Sequence, residues 1–143
     1  GMIAGQCLDI KLLDSPTLTL RELKEIHLLK TACLLTACFK LPLQLSNNVD
    51  MITKKHLDHI SANLGMVFQI QDDYLDRYGN SETLGKNQGS DLETNKKTFA
   101  DFYDKTSLEL LINESYEQLL ASLTMPNAHL LVELITKLKT RNW

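Results

Sequence analysis

The segment Phe68-Gln69-Ile70-Gln71-Asp72-Asp73-Tyr74-Leu75-Asp76 sets three carboxylates within five positions of an otherwise apolar run. Wound as a helix, at about 100° per residue, it puts Gln69, Asp72, Asp73 and Asp76 on one narrow face. Ile60, Leu64, Val67, Phe68 and Leu75 take the opposite face. Gly65 lies on the acidic side, one turn before Gln69, where it leaves room for something to approach. Adjacent aspartates are poor helix formers and repel each other. Near neutral pH they stay ionised together only with a cation between them. Oxygen donors alone favour a hard ion such as Mg²⁺, held by one or two carboxylates plus substrate phosphates. The plain alternative is a solvated face of an amphipathic helix; the rest of the chain weighs against it.

The aspartate helix runs from Thr53 to about Tyr78 and stops at Gly79-Asn80. Beyond it lies a loop of about residues 79–97, rich in glycine and lysine and almost free of apolar side chains. A loop of that length is usually functional or disordered. Its Lys86 and Lys96 are placed to swing over a polyanion held by the aspartates, so the loop is expected to be mobile without ligand.

Upstream, Thr19 and Glu22 have the spacing of a capping box. The helix they start is expected to end at about Leu41, before Pro42. From Leu28 to Phe39 it is apolar nearly all round, the mark of a buried helix. Lys30 is the exception, in mid-stripe with Leu23, Ile26, Leu34 and Ala37. An unpaired buried ammonium is costly, so Lys30 needs an anion: a neighbouring carboxylate or a bound phosphate. Thr31 could donate to the same anion. His27, one turn earlier, is assigned no role.

The first helix face uses Ile3, Cys7 and Ile10, with Met2, Gln6 and Asp9 on a neighbouring, partly polar face. After the loop, Thr98 to Tyr103 and Ser107 to about Leu123 resume helical periodicity, and Ala128 to about Leu138 forms a last helix. No strand alternation is present, so the fold class is all-α, one domain or fragment over 1–143. The chain has 143 residues, 43% of them apolar, and a net charge of −3 with no basic stripe, which argues against nucleic acid as a partner. Cys7, Cys33 and Cys38 read as buried reduced thiols. No signal peptide or membrane-spanning run is seen, and the expected location is cytoplasmic.

Four motifs occur in order: Gly-Gln-x-x-Asp at Gly5 to Asp9, His-x-x-Lys-Thr at His27 to Thr31, the aspartate segment, and Gly-Lys-x-x-Gly-x-Asp at Gly85 to Asp91. Together they resemble the second half of trans-isoprenyl diphosphate synthases, most of all the short-chain bacterial farnesyl diphosphate synthases, or geranyltranstransferases. The resemblance implies the C-terminal half of an all-α bundle around a deep cavity, where two aspartate-rich motifs hold Mg²⁺ on an allylic diphosphate. It makes Asp72, Asp73 and Asp76 the second motif, with Asp72 the surest metal ligand. Lys30 and Thr31 match positions that touch the diphosphate and stabilise the allylic cation. Gln69 matches the glutamine facing both, Lys86 and Lys96 match lysines that close over the diphosphate, and Gln6 and Asp9 match cavity-lining positions.

The family's first aspartate motif and its isopentenyl diphosphate pocket are not found in this sequence. The implied activity is condensation of isopentenyl diphosphate with dimethylallyl or geranyl diphosphate to give farnesyl diphosphate, with this fragment inactive alone. Its implied partner is a second copy, giving a homodimer, or the missing N-terminal half. A non-catalytic helical module that associates with itself or a partner is the alternative.

Overall fold

The computed structural model describes residues 1–12, 15, 17–46, 49–79 and 96–141. Every regular element among them is a helix, as the sequence predicts. In order they are α1 (Met2–Lys11), α2 (Leu20–His27), a π-turn (Leu28–Ala32), α3 (Cys33–Leu45), α4 (Met51–Tyr78), a 3₁₀ turn (Phe99–Asp101), α5 (Lys105–Ser122) and α6 (His129–Lys139). The capping box forms: the Glu22 amide donates to Thr19 Oγ1 at 3.3 Å, and the Thr19 amide donates to Glu22 Oε2 at 2.8 Å. α4 starts earlier than its apolar pattern, at Met51. Asp50 caps it by accepting from the Ile52 and Thr53 amides at 2.8 and 2.9 Å.

α4 is the central element. Its apolar face buries Ile60, Leu64, Val67 and Ile70 against Leu108, Ile112, Tyr116 and Leu119 of α5, with Leu23 and Ile26 of α2 and Ile135 of α6 in the same core. Ile60, Leu64 and Val67 thus do what the periodicity predicts, whereas Phe68 and Leu75, read onto the same face, are outside this core and Ile70 joins it.

The second helix departs from expectation in three ways. Pro42 does not end it: α3 continues through Leu45, and the Ser46 amide still donates to the Pro42 carbonyl at 3.1 Å. Cys38, whose carbonyl loses its helical partner to the proline ring, is an exposed residue. Of the stretch from Leu28 to Phe39, Ala32 alone is buried among the described residues. No α3 residue is buried, and Leu28 and Leu34 are 43% and 51% exposed. The π-turn inserts an extra residue into the winding, so the stripe begun by Leu23 and Ile26 turns outward at Leu34. Finally, the expectation of no membrane-length run is corrected. Leu20–Leu45 is continuous over 26 residues, with a window of mean hydropathy 1.4, long and apolar enough by length and composition to cross a membrane. It is continuous because neither the π-turn nor Pro42 breaks it.

The cysteines are free, as expected, but Cys7 and Cys38 are exposed rather than buried, because α1 and α3 present one face each to solvent. The segment 80–95, which contains Lys86 and most of the expected lid, lies outside the described residues.

Candidate functional site

The site is built on the π-turn. α1 crosses it at Gly5, where an added Cβ would come within 2.3 Å of the Lys30 amide nitrogen. α4 crosses it at Gly65, where a Cβ would lie 2.4 Å from Ala32 Cα. The room beside Gly65 is therefore filled by the π-turn backbone and is not an approach for a ligand. Both contacts are close enough that only glycine fits. One helical turn after each glycine comes a polar residue, Asp9 on α1 and Gln69 on α4. Lys30 and Thr31, adjacent on the π-turn, reach one each.

Lys30 Nζ donates to Asp9 Oδ2 at 2.6 Å, with the two side chains 27% and 13% exposed. Lys96 reaches the other oxygen of Asp9 at 3.2 Å. Burial pushes the Asp9 carboxyl up, but the Lys30 hydrogen bond and the charges of both lysines outweigh it and hold Asp9 below the usual carboxylate range. The anion that Lys30 requires is thus Asp9, and Lys96 is brought to the same point. Gln6 sits exposed on α1, one turn before Asp9.

Thr31 Oγ1 donates to Gln69 Oε1 at 2.5 Å, and Gln69 Nε2 donates to Asp72 Oδ2 at 3.4 Å. Asp72 also pairs with the Arg141 guanidinium, which lies 4.0 Å over the Phe68 ring. Arg141 Nε donates to Gln71 Oε1 at 3.0 Å, and the Tyr116 hydroxyl donates to the same oxygen at 2.7 Å. Asp76 lies one turn on, partly buried.

The three aspartates divide. Asp72 keeps 41% of its side chain exposed, whereas Asp73 keeps 8%. Asp73 Oδ2 accepts from His27 Nε2 at 3.2 Å and from the Phe99 amide at 2.9 Å. On the helical wheel Asp73 sits at the edge of the acidic face nearest the core, and here that edge is covered by α2 and the 3₁₀ turn. Sequence reasoning missed His27, Arg141 and Gln71. His27 carried a signal, its place in His-x-x-Lys-Thr; Arg141, beyond the last helical pattern, carried none.

The polyprenyl synthetase family model matches residues 1–121. The chain belongs to that family. It is 37% identical over 114 residues to the farnesyl diphosphate synthase of Micrococcus luteus, covering 80% of this chain and 38% of that relative. The crystal structure of a geranyltransferase from Legionella pneumophila aligns with a TM-score of 0.80 at 36% identity, over 99% of this chain and 44% of that one. A geranyltransferase from Helicobacter pylori, solved with magnesium and isoprenyl diphosphate, aligns with a TM-score of 0.78 at 28% identity, over 96% and 45% of the two chains. This polyprenyl synthetase chain spans under half the length of each of these relatives.

Magnesium is the cofactor the family implies. Among the described residues no three His, Cys, Asp or Glu side chains are grouped to hold a metal by themselves. The donors fit the ion in a narrower sense. Asp72 offers a half-exposed carboxylate that already draws a cation, the Arg141 guanidinium, and Mg²⁺ commonly rests on one or two carboxylates with phosphate completing the shell.

Proposed function

We propose that this chain is the C-terminal, diphosphate-holding half of a short-chain prenyltransferase. The whole enzyme would condense isopentenyl diphosphate with dimethylallyl or geranyl diphosphate and release farnesyl diphosphate. The observation that carries the reading is the split at the π-turn. Lys30 and Lys96 meet on one side around Asp9, while Thr31, Gln69 and Asp72 form a chain of contacts on the other. Cations and a metal-seeking carboxylate thus flank one short segment, as a diphosphate with its metal requires.

In this reading Asp72, with Asp76 beside it, holds Mg²⁺ against the diphosphate, and Lys30, Lys96 and Lys86 bind its oxygens. Bound Mg²⁺ would supply Lewis-acid stabilisation of the departing diphosphate. The residues of the chain do the rest. Lys30 is held by Asp9 in the folded protein and needs no reorganisation to meet the leaving group. Thr31 and Gln69 fix each other, which would hold the Gln69 amide in a set orientation for the role toward the allylic cation that the resemblance implies. A compact charge arrangement of this kind favours the ionised state over the neutral-carbon ground state.

The chain alone should not turn over. The resemblance assigns the first aspartate motif and the isopentenyl diphosphate pocket to sequence not present here, and losing the positioned second substrate alone forfeits up to about 7–11 kcal/mol. The test is to incubate the purified chain with Mg²⁺, isopentenyl diphosphate and geranyl diphosphate. No longer prenyl diphosphate should form. Turnover abolished by Lys30→Ala and by Asp72→Ala would contradict the half-enzyme reading.

One observation favours a second reading, a helical association module. Ile3, Ile10, Leu28, Leu34, Leu41 and Leu45 are all exposed large apolar side chains on α1, the π-turn and α3. Such a surface without cover is an interaction site. A second copy, or the N-terminal half, would cover it. Sedimentation should show a dimer in the isolated chain; a monodisperse monomer would leave only the missing half as its cover.

A further inference from the structure

We propose that Asp73 is a positioning residue rather than a metal ligand, and that with His27 and the Phe99 amide it forms the junction that sets the site's three segments against one another. The inference rests on the diphosphate reading above for the ligand it serves.

The geometry is specific. Asp73 Oδ2 takes hydrogen bonds from His27 Nε2 at 3.2 Å and the Phe99 amide at 2.9 Å, and the two side chains of the pair are 4% and 8% exposed. A carboxylate only accepts, so the His27 proton is on Nε2. His27 Nδ1 is then a buried acceptor, and it has no partner among the described residues. The His27 ring is fixed further by stacking on Phe99, with centroids 5.6 Å apart and 15° between planes. Phe99 is fully buried. The orientation is set by Asp73.

Each partner lies close in sequence to a side chain proposed to meet the ligand. Lys30 follows His27 by one helical turn on the π-turn, Asp72 is the neighbour of Asp73, and Lys96 comes three residues before Phe99. One carboxylate oxygen therefore ties together the backbones that carry Lys30, Asp72 and Lys96. Phe99 is also where the described chain resumes its helical winding after Lys96. Loosening the junction frees Lys96 from Asp9 and lets the π-turn shift against α4. Asp73 Oδ2 is committed in this way to two donors within the core, and a cation taking both oxygens of Asp73 would have to displace them.

The test uses the whole chain. In the wild type, long-range nitrogen–proton NMR should show a single His27 tautomer with the proton on Nε2, and the Phe99 amide should exchange only through global unfolding. In Asp73→Asn and His27→Gln that amide should exchange at least about tenfold faster, the effect of one weakened charge-assisted hydrogen bond. Mn²⁺ alone, titrated as a paramagnetic probe, should bind Asp73→Asn within about twofold of wild type, while Asp72→Asn loses about tenfold or more. Mg²⁺ with inorganic pyrophosphate should bind about tenfold more weakly to either junction variant, and no more weakly to the double variant, because the two act as one unit.

An Asp73→Asn loss of Mn²⁺ equal to that of Asp72→Asn would make Asp73 a metal ligand and overturn the proposal. Multiplying losses in the double variant, or a wild-type His27 proton on Nδ1, would do the same. The wild-type tautomer decides the junction even if a variant fails to fold. Absence of any pyrophosphate binding in the wild type would instead sink the diphosphate reading, with the NMR arms still deciding whether the junction exists.

Discussion

The π-turn is crossed twice, by α1 at Gly5 and by α4 at Gly65, and the two crossings lead to different chemistry. On the α1 side a carboxylate, Asp9, is gripped by two lysines. On the α4 side a neutral amide, Gln69, is fixed by a neutral hydroxyl and leads on to Asp72. The same close approach of backbones produces a charged clamp and an uncharged one. The difference lies in support. α4 is anchored by buried residues from Ile60 to Asp73, whereas Gly5 is the only buried residue of α1. The α1 clamp therefore depends on electrostatics and on one glycine, and the α4 clamp on the core.

That contrast can be broken directly. Gly65→Ala forces a Cβ into the Ala32 backbone, where nothing flexible can yield. It should destabilise the fold by about 3 kcal/mol, the upper part of the usual overpacking range, measured by urea unfolding. Gly5→Ala meets the Lys30 backbone just as closely, but α1 can undock without opening the core. Global stability should fall by only about 1 kcal/mol, while hydrogen exchange should show the α1 amides losing protection. Equal global losses from the two substitutions would mean that α1 is as integral as α4.

The charged clamp should respond to acid and the neutral one should not. Asp9 has a depressed pKa in the folded protein. Its contribution is therefore present above the unfolded carboxylate value of about 4 and is lost as pH falls through the folded value. Urea stability followed from pH 6 to pH 3 should drop less steeply in Asp9→Asn than in the wild type. Parallel curves would show that the two lysines leave the Asp9 carboxyl unperturbed. A loss no larger than that of Gly5→Ala belongs to Thr31→Val, which leaves Gln69 Oε1 without its donor. It should cost about 1 kcal/mol, with no change in the pH dependence.

How much of this could be read from the residues follows from the range of each interaction. The acidic and apolar faces of α4 and the capping box at Thr19 are local, and periodicity or spacing alone gives them. The need of Lys30 for an anion follows from its apolar neighbours. That the anion is Asp9 does not, because it depends on where α1 crosses, and a glycine in a helix does not say which backbone it admits. Gly65 shows the same limit: its space is visible in the sequence and its occupant, Ala32, is not. Asp72 and Asp73 lie at opposite edges of the acidic face, but the wheel does not say which edge is covered; the cover over Asp73 comes from His27 and from Phe99, 26 residues away. The apolar run of α3 predicts burial, yet no α3 residue is buried among the described residues. Arg141 reaches Asp72 across the whole length of α5 and α6, beyond any local pattern.

The central claim is that Asp72 and Lys30 together form half of a diphosphate site. Isothermal titration of the chain with inorganic pyrophosphate, with and without Mg²⁺, tests it most directly. Binding should require the metal and have a dissociation constant on the order of millimolar, as the proposed half-site implies. Asp72→Asn should abolish the dependence on Mg²⁺, and Lys30→Met should weaken binding about tenfold or more. Binding that is indifferent to Mg²⁺ and unchanged in both variants would contradict the account.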